Sequence, residues 1–341
     1  MNALERSWYQ RWGWSYVLWP LSLLMAVLSG LRRLAYRRGW LASSHPGIPV
    51  VVIGNISVGG TGKTPFTLWL CQHLQQQGLK PAIISRGYGA QIRQPLLVDA
   101  RQHHASDVGD EPLLLATLSK VPVVVCPDRS AAAAFVRQHT DANIILSDDG
   151  LQHYALARDV EIIMLDGQRG IGNGLLLPAG PLREGRWRLA SADVVLATSV
   201  AEQSPAASLT AHHMWLHSAP ALPVASLVAD EMSGAETEAL FAPCEVKLVA
   251  GIGNPQRFVR SAQQQGYAVA GEYFFPDHYA FTASDFSAIA GPVLMTAKDA
   301  VKCRRFAQAD WYYLPLHARF APSTLALIDQ QIASLRSRYG L

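Results

Sequence analysis

The sequence predicts an α/β protein. It reads as a P-loop-containing, doubly wound, mostly parallel sheet (α/β/α), with a second, smaller α/β/α domain and an N-terminal membrane-associated helix. Three observations carry this expectation. From Ile48 onward, short runs rich in Val and Ile alternate with helical stretches. A glycine-rich loop stands between the first such run and the first helix, and an uncharged segment near the N-terminus is flanked by arginine and tryptophan. Of the 341 residues, 50% are hydrophobic and 16% charged, which excludes a largely disordered chain. Cys71, Cys126, Cys244 and Cys303 form no CxxC pair. That argues against a disulfide framework or a cysteine zinc site and fits a reducing compartment.

Residues 1–40 hold six arginines against a single acid, Glu5, although the whole chain carries only +3. The remainder is slightly acidic, so no nucleic-acid partner is expected. Trp8, Trp12, Trp14, Trp19 and Trp40 lie in the same basic segment. Residues 13–31 are uncharged; as a helix they would measure about 28 Å, close to the ~30 Å hydrocarbon thickness. A single span and a monotopic helix in the interface both remain open. Length permits the first, while Pro20 and the clustered Trp and Arg suit the second. A secretory signal would export the nucleotide-type site described below and is set aside.

Residues 50–53, 82–84, 121–125, 144–146, 160–165 and 194–197 read as buried strands, too short and too β-branched for helices. Helical stretches at 66–77 and 112–119 fall between them, the alternation that gives parallel sheets. Polar residues follow each strand: Gly54-Asn55, Arg86-Gly87-Tyr88, Asp128-Arg129, Asp148-Asp149, Asp166-Gly167 and Thr198-Ser199. In an open α/β sheet these carboxyl ends share one edge, where ligands bind. The expected divisions are a membrane-associated segment over 1–40, a nucleotide-binding domain over 41–205, an extended connector over 206–235, and a second α/β domain over 236–341. The last would carry strands near 246–250, 269–274, 293–295 and 311–314 and a C-terminal amphipathic helix over 323–336.

Ser57-Val58-Gly59-Gly60-Thr61-Gly62-Lys63-Thr64 follows the first strand and opens the first helix. Glycines let backbone N–H groups turn toward phosphate oxygens, and the helix N-terminus adds positive potential. Lys63 would reach the β- and γ-phosphates of ATP, and the Thr64 hydroxyl would ligate Mg²⁺. Ser57 replaces the usual first glycine, and Val58 stands where partitioning-type ATPases carry a signature lysine. The apolar run ending in Asp148-Asp149 supplies the acidic complement that a metal beside the phosphates needs.

A kinase must also hold an acceptor hydroxyl and take its proton. Asp107, Asp110 and Glu111 before Pro112 offer carboxylates, which are equally ordinary at a helix start. Asp277-His278 offers a carboxylate beside an imidazole. Gly54-Asn55 with VGGTGKTP, Ser85-Arg86-Gly87-Tyr88-Gly89, GDEP, SDDGLQH, PAGPLRE and FPDHY occur in this order. In them the chain, from about residue 10 to 310, resembles the tetraacyldisaccharide 4'-kinase family of Gram-negative bacteria.

The resemblance implies an enzyme of lipid A (lipopolysaccharide) biosynthesis. It would transfer phosphate from Mg-ATP to the 4'-hydroxyl of a membrane-held acylated glucosamine disaccharide 1-phosphate, at the cytoplasmic face of the inner membrane. It implies two α/β/α domains joined by a β-ribbon. It also implies Asp110 as catalytic base with His278 beside it, Lys63 and Thr64 on phosphates and Mg²⁺, and Asp148 and Asp149 on the metal. Arg86, Tyr88, Glu111 and Asp277 are expected near the substrate; Arg183 and Glu184 receive no role. No obligate protein partner is inferred. The alternative is a membrane-associated switch ATPase of the partitioning type, for which the second domain is surplus. A GTPase is disfavoured because Thr296-Ala-Lys298-Asp299 sets the lysine one place too late for the guanine signature.

Overall fold

The computed structural model describes residues 3–10, 12–198, 205–206, 208–228 and 241–341. Ser199 and the connector and second-domain residues 229–240 lie outside them. Nine strands form the larger sheet in the order Leu316–Phe320, His213–Ser218, Val194–Thr198, Val160–Asp166, Val50–Gly54, Ile144–Asp148, Pro81–Ser85, Val123–Val125, Leu96–Leu97. Neighbours run parallel except at the two edges, where the outermost strand is antiparallel. The expected strand at 121–125 begins only at Val123, because Pro122 has no N–H to give to a ladder.

Successive side chains of the central strand point to opposite faces. Val51 and Ile53 pack with Phe66, Leu70 and Leu74 of the Lys63–Gln76 helix, and Val50 and Val52 with Ala132 and Val136 of the Arg129–His139 helix. Apolar residues on both faces are what a parallel sheet covered by helices requires. The edge strands Leu96–Leu97 and Leu316–Phe320 escape a search for buried runs, since the first has two residues and the second alternates with solvent.

The smaller sheet has the order Ala268–Phe274, Glu245–Ala250, Val293–Thr296, Trp311–Leu314, Leu222–Pro223, with only the last pairing antiparallel. Helices Pro255–Gln264 and Ala297–Cys303 cover its opposite faces.

One expectation fails. The terminal helix, Pro322–Tyr339, packs on the larger sheet rather than with the second unit, and Ile328, Ile332 and Leu335 insert beside Leu70 and Leu74. The physical reason is the preceding strand, Leu316–Phe320, which pairs antiparallel with His213–Ser218 and carries the chain back. The two passages between the units thus form one hydrogen-bonded ribbon, one strand of which lies in the connector.

A short 3-10 turn, Trp14–Leu18, leads into the helix Trp19–Arg37, a stretch long and apolar enough to cross a membrane. Its less exposed positions are Ser22, Ala26, Ser29, Arg33, Ala35 and Tyr36, a stripe mostly of spacing three and four. Ser22 Oγ donates to the Leu176 carbonyl (2.7 Å) and accepts from the Ala179 N–H (2.9 Å). The Arg33 guanidinium lies 4.1 Å from the Trp187 ring centre, and the Tyr36 ring 5.9 Å from that of Tyr154. The large apolar side chains Leu21, Leu24, Val27, Leu28 and Leu31 point outward, each about half exposed. This helix turns its polar stripe to the protein and its apolar face away.

Candidate active site

The central strand delivers the chain into the Asn55–Gly62 loop beneath a cleft of about 1080 Å³ between the two units. Register places Ile53 against Asp148, so the acidic strand end lies beside the loop. Gly62 has φ 81°, and a Cβ there would meet Thr198 Cγ2 at 2.6 Å, so only glycine allows this turn into the helix. Asn55 is fully buried under the loop. Its amide donates to the Ser57 carbonyl (2.5 Å) and the Gly59 carbonyl (3.4 Å) and its oxygen accepts from Lys63 Nζ (3.2 Å). Val58 through Thr64 line the cleft. Ser57 is buried below it and bridges to Leu182.

Lys63 Nζ also lies 3.5 Å from Asp149 Oδ1, and Arg183 Nη1 donates to both Asp149 oxygens (3.1 and 3.3 Å). Burial alone would raise the Asp149 pKa, but the Lys63 and Arg183 charges outweigh it and hold the carboxyl below its usual range. Asp148 is different. It is 1% exposed, and neither carboxylate oxygen has a hydrogen-bond partner. Burial and then the nearby Glu111 charge push its pKa well up. Arg129, almost fully buried, donates to the Cys126 carbonyl (3.0 Å) and the Asp148 carbonyl (3.1 Å). Its own pKa is brought down to about 10, chiefly by burial.

Across the cleft, His278 Nδ1 stands 3.1 Å from Asp110 Oδ2, joining groups 168 positions apart. Lys298 Nζ lies 3.2 Å from Asp277 Oδ1 and 3.4 Å from His278 Nε2. An ammonium can only donate, so Nε2 accepts and Nδ1 carries the proton given to Asp110. Lys302 Nζ approaches the same Asp110 oxygen at 3.7 Å. The Tyr88 ring centre sits 5.7 Å from that of His278, and Arg86 and Glu111 line the same cleft.

The cleft therefore gathers Val58–Thr64, Asp148, Asp149, Asp110, Glu111, Arg86, Tyr88, Asp277 and His278, and leaves out Ser57. Sequence reasoning missed Arg129 and Lys298 in the cleft wall and Asn55 and Lys302 buried behind it, and gave Arg183 no part. Only the polar strand ends, Gly54-Asn55 and Asp128-Arg129, signalled any of them.

A doubly wound sheet with a P-loop, an acidic strand end beside it, and a carboxylate–imidazole pair bridging the same cleft defines a P-loop phosphotransferase. Comparison with known proteins identifies the family: a model described as tetraacyldisaccharide-1-P 4'-kinase (LpxK) matches residues 14–333, and the chain belongs to that family. A tetraacyldisaccharide 4'-kinase of Chromobacterium violaceum is 45% identical over 348 residues, covering 100% of both chains. One from Aeromonas salmonicida is 43% identical, covering 99% of this chain and 100% of the relative. Among solved structures, "apo" form LpxK from Aquifex aeolicus in complex with ATP superposes with a TM-score of 0.76 at 25% identity, covering 94% of this chain and 99% of that one.

Proposed function

We propose that the chain transfers the γ-phosphoryl group of ATP to the 4'-hydroxyl of a membrane-held tetraacylated glucosamine disaccharide 1-phosphate, in lipid A biosynthesis at the cytoplasmic face of the inner membrane. The observation that carries this reading beyond family membership is the Asp110–His278 pair, which comes from two units and bridges the cleft that the P-loop lines. In the transfer, the acceptor oxygen forms a bond to the γ-phosphorus while the bond from that phosphorus to the β–γ bridging oxygen breaks, and ADP leaves. The hydroxyl proton passes to the Asp110 carboxylate, which His278 holds in place. Lys63, resting on Asn55 and Asp149, is within a side-chain swing of the phosphates that the loop N–H groups cradle. Arg86, Tyr88, Glu111 and Asp277 are assigned to the acceptor side of the cleft.

Thr64, Asp148 and Asp149 are assigned to Mg²⁺. Their all-oxygen chemistry suits a hard dication, and the two unpartnered oxygens of buried Asp148 support the fit. Bound there, Mg²⁺ would neutralise charge on the phosphates.

The N-terminal helix is assigned to the bilayer surface. It is docked on the protein from Ser22 to Tyr36, about 21 Å of its length. A helix held along the body in this way supports an interfacial rather than a spanning placement.

Purified protein with γ-labelled ATP, Mg²⁺ and detergent-dispersed disaccharide 1-phosphate tests the assignment. Wild type is expected to label the lipid, and Asp110→Ala to lose about 10²–10⁴ in kcat. Equal labelling by both proteins would remove Asp110 from the role of base.

A further inference from the structure

The segment Thr296-Ala-Lys298-Asp299, which fails as a guanine reader, begins a short helix packed against the catalytic pair. Lys302, one turn on, is almost fully buried, with Nζ 2.8 Å from Asp299 Oδ1, 3.0 Å from the Tyr279 carbonyl and 3.7 Å from Asp110 Oδ2. Asp299 is itself fully buried. Its other oxygen accepts from Thr296 Oγ1 (2.6 Å) and from the Gly251 N–H (3.1 Å).

We propose that Lys302 is a positioning residue for the phosphoryl-transfer step, fixing the Asp110 carboxylate from the opposite unit. The inference rests on the reading of Asp110 as the base. Two observations carry it. First, the fold does not need a buried charge here, since apolar residues of similar volume commonly serve as well as a buried ion pair. The helix end is already docked: Arg304 donates to the Ala100 and His103 carbonyls, and Arg305 to those of Arg101 and Gln102. Second, Lys302 and His278 both meet Oδ2 of Asp110, which leaves Oδ1 to accept the proton. Two cationic or donor groups on one oxygen fix the plane of the carboxylate, and displacement of a reacting group by about 1 Å can cost about 10²-fold in rate.

Five proteins test this: wild type, Lys302→Met, Asp299→Asn/Lys302→Met, Asp110→Ala and Asp110→Ala/Lys302→Met. For each, kcat, KM for ATP and for lipid, and the thermal midpoint are measured. Lys302→Met is expected to lose about 10–100-fold in kcat with both KM values little changed. It is also expected to lower the midpoint, because Asp299 is left unpaired. Asp299→Asn/Lys302→Met removes both charges, so its midpoint should recover while kcat stays low. If Lys302→Met does not fold, this double variant still decides. In the Asp110→Ala background, Lys302→Met should have little further effect on kcat, since both act as one unit.

Recovery of kcat in the double variant would show that Lys302 serves only to neutralise Asp299 and would overturn the inference. An equal further loss on top of Asp110→Ala would overturn it too. Wild-type kcat in Lys302→Met, with Asp110→Ala impaired, would overturn the inference alone. Full activity in Asp110→Ala would overturn the base assignment and this inference with it.

Discussion

Asp149 and His278 are two of the three described non-glycine residues with positive φ, at 48° and 64°. Such backbone costs of order 1–3 kcal/mol and persists where surroundings over-determine it, commonly at functional sites. A third constraint acts through a glycine. Gly109 has φ 92°, and a Cβ there would approach the Tyr88 carbonyl oxygen to 2.9 Å, immediately before Asp110 opens its helix. Gly109→Ala is therefore expected to destabilise the protein by about 1–3 kcal/mol. By moving Asp110, it should lower kcat more than it raises the KM for ATP. Urea midpoints together with steady-state kinetics check both parts. An unchanged kcat would show that the Gly109 backbone does not set the position of Asp110.

Among the elements, the terminal helix depends on one carboxylate at its far end. Asp159 Oδ2 accepts from the Val50 N–H (2.9 Å) and meets His45 Nε2 (3.1 Å). Its Oδ1 accepts from the Tyr339 hydroxyl (2.8 Å) and pairs with Arg338 (3.2 Å). Burial would raise its pKa, but the Val50 N–H, Tyr339 and His45 outweigh burial and leave it lowered. A lowered carboxyl contributes stability that is complete above its unfolded pKa and is lost as pH falls through the folded one. Asp159→Asn should thus cost about 1–3 kcal/mol at pH 7, and the gap from wild type should close below about pH 4. Denaturation curves at pH 7 and pH 3 check it, and a gap that widened in acid would contradict the assignment.

The same elements show what the sequence makes legible. The P-loop and the strand ending in Asp148-Asp149 are contiguous, so spacing exposes them. The Asp110–His278 pairing was reached only through resemblance, since neither residue's neighbours announce the other. Lys298 and Arg183 gain their partners from tertiary packing and have no local pattern to betray them, and although Lys302 pairs with Asp299 one turn back, its approach to Asp110 is likewise tertiary. Leu316–Phe320 was missed because an edge strand carries solvent-facing residues, and with it went the destination of the last helix.

Viewed whole, the molecule has one face unlike the rest: the outward side of Trp19–Arg37, continued by the largely exposed Trp12 and Trp40. Arg32, Arg37 and Arg38, all exposed, lie at the C-terminal end of the same helix. Leu24→Ser/Leu28→Ser/Leu31→Ser should lower partitioning onto anionic vesicles by more than about 10²-fold, each buried leucine contributing about 1.5–3 kcal/mol. ATP binding should be unaffected, because the helix touches the protein through its other stripe. Vesicle sedimentation beside nucleotide titration checks both, and undiminished sedimentation would mean that another surface meets the lipid.

The return of residues 316–341 to the nine-stranded sheet also fixes an order of manufacture. The helix Trp19–Arg37 leaves the ribosome long before Ile328, Ile332 and Leu335, which close the core over Leu70 and Leu74. If that helix meets the bilayer as proposed, a nascent chain would be moored there while its nucleotide-binding unit still lacks one wall. Completion of that unit must wait until residues 316–341 have been made.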